Sequence, residues 1–173
     1  GMKNSQKVSL NMMKVHGLAV TREIKKSMTV IDMPYKTYIS KTDALKNAKI
    51  LLKYTKAKLL KIEINRKNIS ILKYLCSKNL NIIAHIGVTP QSFKDFNKIK
   101  AVGKNKRESE NLLKLAIDAQ NAGAKALLLE CIVKETARNI TKSTFVPTIG
   151  IGSSKYCDGQ VLVFDDLINI DQD

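Results

Sequence analysis

The chain has no tryptophan, only two histidines and three prolines, and aromatic residues at 5% of its positions. With so few histidines a histidine-rich metal centre is excluded. Cys76, Cys131 and Cys157 show no Cys-x-x-Cys spacing, and no zinc pattern is present. An odd number of cysteines implies reduced thiols and a cytoplasmic setting, not a disulfide framework. No apolar run reaches the roughly 20 residues that a membrane-spanning helix needs, and no secretory pattern opens the chain. Arginine is also scarce, with four against 26 lysines.

The lysines set the net charge of +15 and the isoelectric point of about 9.8. A basic chain can meet nucleic acid or another anionic surface. Here the lysines are spread over helix faces and loops, with no basic stripe interleaved with aromatics. The excess therefore reads as composition bias, and no specific nucleic-acid binding is expected. A basic nucleic-acid-binding module remains the third reading of the chain. The densest basic stretch, Lys94 to Arg107, reads as a solvated loop.

Six short apolar runs are the main positive signal. They are Met28–Asp32, Leu59–Glu63, Asn81–His85, Ala126–Glu130, Val146–Gly150 and Gln160–Phe164, the last followed by Asp165-Asp166. Continuous apolar runs of this length suit strands buried on both faces of a parallel sheet. Three of them end in a carboxylate and one in histidine. Amphipathic stripes lie between them: Ala44, Leu45, Ala48, Leu51 and Leu52 after a cap at Thr42; Ile69, Leu72, Leu75 and Cys76; and Leu112, Leu113, Ala116 and Ala119, which stop at Gly123. Thr89-Pro90 reads as a helix N-cap followed by a first-turn proline. Strands alternating with helices predict an α/β chain of (βα)8 TIM-barrel type, whose reactive residues sit at the C-terminal strand ends.

A complete barrel of this type takes about 200–250 residues or more, so 173 residues predict an incomplete one with about six βα units. The whole of 1–173 is expected to form one truncated domain. Gly1-Met2 reads as a tag scar or as the cut end of a longer chain.

Single residues have ordinary readings beside functional ones. Lys61, alone on an apolar strand, can point into solvent. His85 alone reads as a satisfied core histidine. Cys131, beside Glu130, reads as a small packed residue before a nucleophile. Glu130 differs, because a carboxylate after four apolar residues is rarely packing filler. The Gly150-Ile-Gly152 turn can cradle a phosphate, as late loops of such barrels often do.

An ordered set of segments carries a family resemblance: Val8–His16, Val30–Tyr38, Lys61-Ile-Glu63, Ala84–Gln91, Ala122-Gly-Ala124, Leu129-Glu130-Cys131, Pro147–Gly152 and Cys157–Val163. Taken together they resemble ketopantoate hydroxymethyltransferase (3-methyl-2-oxobutanoate hydroxymethyltransferase). The resemblance implies transfer of a one-carbon unit from 5,10-methylenetetrahydrofolate to 3-methyl-2-oxobutanoate, in pantothenate biosynthesis, with Mg2+ as cofactor. Position by position, Asp32 matches a magnesium-binding aspartate that also faces the substrate. Glu63 matches an acidic residue of the metal shell. Lys61 and His85 match substrate-binding residues, and Glu130 matches the general acid/base. A cytoplasmic homo-oligomer is implied.

The chain departs from the family in several places. The early strand ending in Gly-Asp-Ser, which supplies a further magnesium aspartate, has no counterpart. Ile64-Asn65 stands where the family has Gly-Gly, and Gly152-Ser153-Ser154 where it has Gly-Ala-Gly. The loop after the histidine strand has become Asn97–Lys104, and the C-terminal helices have no counterpart. These losses leave two readings open: an active shortened enzyme, or a folded remnant without activity.

Overall fold

The computed structural model describes residues 5–92 and 100–168, apart from the side chains of Asp165 and Asp166. After a 3₁₀ turn at Ser5–Lys7 the chain forms α1 (Leu10–Glu23), β1 (Val30–Asp32), α2 (Lys41–Thr55), β2 (Leu59–Glu63), α3 (Ile69–Ser77) and β3 (Ile82–Gly87). A second 3₁₀ turn, Pro90–Ser92, precedes α4 (Lys106–Asn121), β4 (Ala126–Glu130), α5 (Lys134–Ser143), β5 (Thr148–Ile151), β6 (Gly159–Gln160) and α6 (Phe164–Leu167).

The six strands form one all-parallel sheet in the order β1-β2-β3-β4-β5-β6. Each strand lies beside the next in sequence, with no reversal of order. That is the arc of a (βα) barrel, since a doubly wound sheet would switch direction at a crevice. Asp32 of β1 and Ile151 of β5 line the same cavity, together with Val163, so the sheet curves back on itself. The architecture is the expected α/β fold, an incomplete TIM-barrel type.

Strand alternation divides the core into two layers. Leu60, Ile62, Ala84, Ile86, Leu127 and Leu129 face outward and pack under the helices, against Ala48 and Leu51 of α2, Leu72 and Leu75 of α3, Ala116 and Ala119 of α4 and Ile140 of α5. Ile83, Ala126 and Leu128 face inward with Leu59, Ile149 and Ile151. The polar ends of the strands project from the inner face.

Several local expectations are corrected. The cap of α2 is Ser40, not Thr42: the Ser40 hydroxyl accepts from the Asp43 amide at 3.0 Å. β1 begins at Val30 and β5 at Thr148, inside the longer apolar runs. β3 extends past His85 to Gly87. β6 is confined to Gly159–Gln160, and Phe164 opens a helical turn instead of ending a strand. No helix joins β5 to β6; residues 152–158 make the connection. Thr89-Pro90 leads into a 3₁₀ turn, closed by the Ser92 amide on the Thr89 carbonyl at 2.8 Å, and residues 93–99 after it lie outside the described residues.

Residues 94–99 of the basic stretch lie outside the described residues, as do Gly1 and Met2. Lys106 and Arg107 belong to α4, not to a loop. Asn105 caps that helix, accepting from the Glu108 amide at 3.0 Å, while Glu108 accepts from the Gly103 and Lys104 amides. The sequence reading places no helix at Lys134–Ser143. Only Thr136, Ala137 and Ile140 of α5 are buried, too narrow a stripe to stand out.

Candidate active site

Four strand ends meet on the inner face. Strand register pairs Asp32 with Lys61, Glu63 with His85, and Gly87 with Glu130. Steps of two residues along a strand keep to one face, so Asp32, Lys61, Glu63, His85 and Glu130 all point into the same cavity of about 490 Å³. All five residues singled out from the sequence are thereby brought together. His16, the other histidine, is exposed on α1 and does not line that cavity.

The contacts run from strand to strand. Lys61 Nζ lies 2.9 Å from Asp32 Oδ2 and 3.3 Å from His85 Nδ1. His85 Nε2 lies 3.1 Å from Glu130 Oε2 and 2.8 Å from the Val88 carbonyl oxygen. An ammonium group can only donate, so His85 Nδ1 accepts and the ring proton sits on Nε2, shared between Glu130 and Val88. Asp32, Lys61, His85 and Glu130 form a continuous polar chain across β1 to β4. Lys61 therefore does not simply point into solvent. His85 is 1% exposed and is both a satisfied buried histidine and a member of the cluster.

Glu63 occupies the floor beside this chain and is 6% exposed. Burial pushes its carboxyl up to about 7, while the hydrogen bond from the Gln91 amide and the Lys61 charge pull in the other direction. The amide-to-Oε1 distance is 2.9 Å. Tyr38 is raised beyond the ordinary tyrosine range, chiefly by burial and then by the nearby Glu63 and Asp32 charges. Its hydroxyl donates to Gln91 Oε1 at 2.8 Å. Gln91 and Tyr38 join the site beyond the five residues that the sequence singles out; a glutamine right after Thr-Pro is the signal available for Gln91.

Asp32 Oδ1 is buried and has no hydrogen-bond partner among the described residues. An unpartnered buried carboxylate oxygen is a hard donor of the kind that oxygen-seeking cations take. No cluster of three His, Cys, Asp or Glu side chains with metal-binding geometry occurs among the described residues.

The glycines near the ends of β3 and β5 have packing reasons. A Cβ on Gly150 would meet the Gln160 side chain at 3.0 Å and Cys157 Sγ at 3.1 Å, which favours close packing over phosphate binding as the cause of this glycine. Gly87 has φ of +101°, and a Cβ there would collide with the Glu130 carbonyl and with Ile132. Cys131 adopts a φ of +49°, and its thiol is pushed up by burial and then by Glu130. Both causes disfavour a thiolate, so the packed-residue reading of Cys131 holds over a nucleophile.

The family model described as ketopantoate hydroxymethyltransferase matches residues 1–173. The chain belongs to this family. Its relatives include the 3-methyl-2-oxobutanoate hydroxymethyltransferase of Pelagibacter ubique (strain HTCC1062), 41% identical over 169 residues, which covers 98% of this chain and 65% of the relative. The enzyme of the same name from Rhizobium rhizogenes is 37% identical over 174 residues, covering 100% and 64%. That from Campylobacter concisus is 37% identical over 164 residues, covering 95% and 60%. The chain thus spans less than two thirds of the length of these curated relatives.

Among solved structures, a candidate phosphonomutase from Burkholderia cenocepacia J2315 superposes with a TM-score of 0.68 at 12% identity, covering 96% of this chain and 74% of that one. A candidate lyase/mutase from the same organism gives 0.65 at 11% identity, covering 95% and 59%. Identities this low carry the fold alone. For this member of the ketopantoate hydroxymethyltransferase family, the five strand-end residues and the cavity they share are the candidate active site.

Proposed function

We propose that the site deprotonates 3-methyl-2-oxobutanoate at C3 and directs the resulting carbanion equivalent onto the one-carbon unit carried by 5,10-methylenetetrahydrofolate, with the two carbon–nitrogen bonds to that unit breaking, water supplying the hydroxyl and tetrahydrofolate leaving. The observation that carries this reading is the unbroken Asp32–Lys61–His85–Glu130 chain lining one cavity. Family membership narrows the substrate class.

Glu130 takes the C3 proton. Its side chain is 18% exposed, reachable from the cavity yet partly shielded. The His85 Nε2–H bond orients the Glu130 carboxylate, and Lys61 fixes the His85 tautomer from the other side of the ring. The Lys61 ammonium also offsets the negative charge of the substrate carboxylate. A folded strand carries each group, so little reorganisation accompanies the step.

Asp32 and Glu63 would hold Mg2+, and the chemistry it supplies is Lewis-acid polarisation of the 2-oxo group. The fit rests on the unpartnered Asp32 Oδ1. Asp32 and Glu63 are also consistent with magnesium's habit of using one or two protein carboxylates, with substrate and water oxygens completing the shell. A second reading, a folded chain that no longer turns over, is favoured by Ile64-Asn65 standing directly after Glu63 where the family has Gly-Gly.

A homo-oligomer is part of the proposal. Among the described residues β1 and β6 each pair on one side only, and unpaired sheet edges favour association. No helix among the described residues is long and apolar enough to cross a membrane. The three cysteines are free thiols, which suits a reducing cytoplasm.

Proton NMR of 3-methyl-2-oxobutanoate in D₂O tests the reading, because loss of the C3 hydrogen signal reports deprotonation without the folate. Exchange that requires both Mg2+ and Glu130 is expected, with Glu130→Gln slower by roughly 10²–10⁴-fold. No exchange from a folded sample would leave the inactive reading in its place.

A further inference from the structure

We infer that Gln91 is a positioning residue that sets the Glu63 carboxyl relative to the Asp32 strand end. The proposal depends on the function above only for the chemistry it serves, since the geometry stands by itself. Gln91 is 6% exposed, in the 3₁₀ turn that follows β3. Its side-chain Nε2 donates to the Met33 carbonyl at 3.0 Å, one residue beyond Asp32. Its Oε1 accepts from the Tyr38 hydroxyl at 2.8 Å, and its backbone amide donates to Glu63 Oε1 at 2.9 Å. The Gln91 carbonyl accepts from Gln6 Nε2 at 2.9 Å. One residue therefore ties together the loop after β1, the end of β2 and the turn after β3.

A buried glutamine that merely satisfied itself would need only nearby backbone groups. Gln91 instead reaches across 58 positions in sequence to Met33 and across 28 to Glu63. The consequence is mechanical. The side chain is anchored on the β1 loop at both ends of its amide, and this anchoring holds in place the backbone N–H that grips Glu63. Releasing the anchor frees the turn, and with it the Glu63 carboxyl. Met33 is itself linked to β2, because its amide donates to the Lys61 carbonyl at 2.9 Å. The two carboxylates at the cavity floor are thus referenced to one residue that touches neither the general base nor the cavity's cationic group.

The test compares the parent with Gln91→Met, which keeps side-chain volume but removes both amide bonds, and with Tyr38→Phe, which removes one. The deciding readout is the Glu63 side-chain carboxyl resonance in ¹³C NMR, assigned with Glu63→Gln, on samples whose melting curves show a folded chain. The resonance is expected to move in Gln91→Met and to move less, in the same direction, in Tyr38→Phe. With it, kcat for C3-hydrogen exchange should fall by roughly 10–100-fold in Gln91→Met, as displacement of site groups by about an ångström does, with a smaller change in KM. A folded Gln91→Met chain with an unmoved Glu63 resonance overturns the inference, whatever its exchange rate. If Gln91→Met does not fold, Tyr38→Phe decides by the same criterion. If the parent shows no exchange, the proposed function falls, and the resonance alone still upholds or overturns the role of Gln91.

Discussion

His85 Nε2 stands 3.1 Å from Glu130 Oε2 and 2.8 Å from the Val88 carbonyl, while Lys61 closes on the opposite ring nitrogen at 3.3 Å. The imidazole is therefore held by partners on both sides, and each partner comes from a different part of the sheet. This relationship sets the orientation of the Glu130 carboxylate.

His85→Phe keeps a flat ring in the buried slot and removes both nitrogens. Glu130 then loses its donor and Lys61 loses one of its two partners. Mg2+-dependent C3-hydrogen exchange should fall roughly 10–100-fold through misplacement of Glu130, with the fold retained in far-UV circular dichroism. Exchange at the parent rate would show that Glu130 needs no support from His85.

Glu63 makes stability depend on pH. Its folded carboxyl is raised from 4.5 to about 7, so the folded chain binds that proton more tightly than the unfolded one. The stabilisation is fully present below about pH 4.5 and is lost as pH rises through about 7, at an order of about 3 kcal/mol over the whole window. Glu63→Gln cannot ionise and keeps an oxygen for the Gln91 amide. Denaturant titrations should find Glu63→Gln more stable than the parent near pH 8, with the advantage shrinking towards about pH 5. A pH-independent difference would contradict the assignment.

Gly87→Ala is expected to be severe. The residue has φ of +101°, and an added Cβ would strike the Glu130 carbonyl and Ile132. The Val88 amide bond to that carbonyl, at 2.9 Å, would be displaced. Left-handed strain and overpacking together should cost roughly 2–5 kcal/mol. Urea unfolding measures this, and a change under about 0.5 kcal/mol, within the range of ordinary surface substitutions, would refute it.

Leu127→Ala tests the outer layer independently of the site. Leu127 is fully buried between the sheet and its helices. Its truncation should cost about 2–5 kcal/mol, while the Glu63 carboxyl resonance stays in place, because the cavity lies on the other face of the sheet. A moved resonance would mean that the two faces are mechanically coupled.

Some elements were legible because their signals were redundant. Leu59–Glu63 and Ala126–Glu130 have in the fold the bounds that the sequence marks, since each is a mainly apolar run ended by a carboxylate. The run at Val161–Phe164 has the same look, yet β6 ends at Gln160. Its side chains are 40–67% exposed, because no further strand among the described residues pairs beyond β6. Hydrophobicity marks what can be buried; pairing decides what is. The α5 helix failed to show for the converse reason, having few apolar residues and a narrow buried face.

The sequence by itself determined the alternation of strands and helices, the parallel sheet and the polar residues Asp32, Glu63, His85 and Glu130 that follow its apolar runs, because period and composition are local properties of the chain, whereas Lys61 is marked only by the family resemblance. Only the tertiary structure decided how those residues meet. The register of β1 to β4 places Lys61 between Asp32 and His85, and His85 against Glu130. It also buries Glu63 deeply enough to raise its carboxyl and delivers Gln91 to three loops at once. Burial and through-space contact arise from packing between segments far apart in sequence, and no local pattern encodes them.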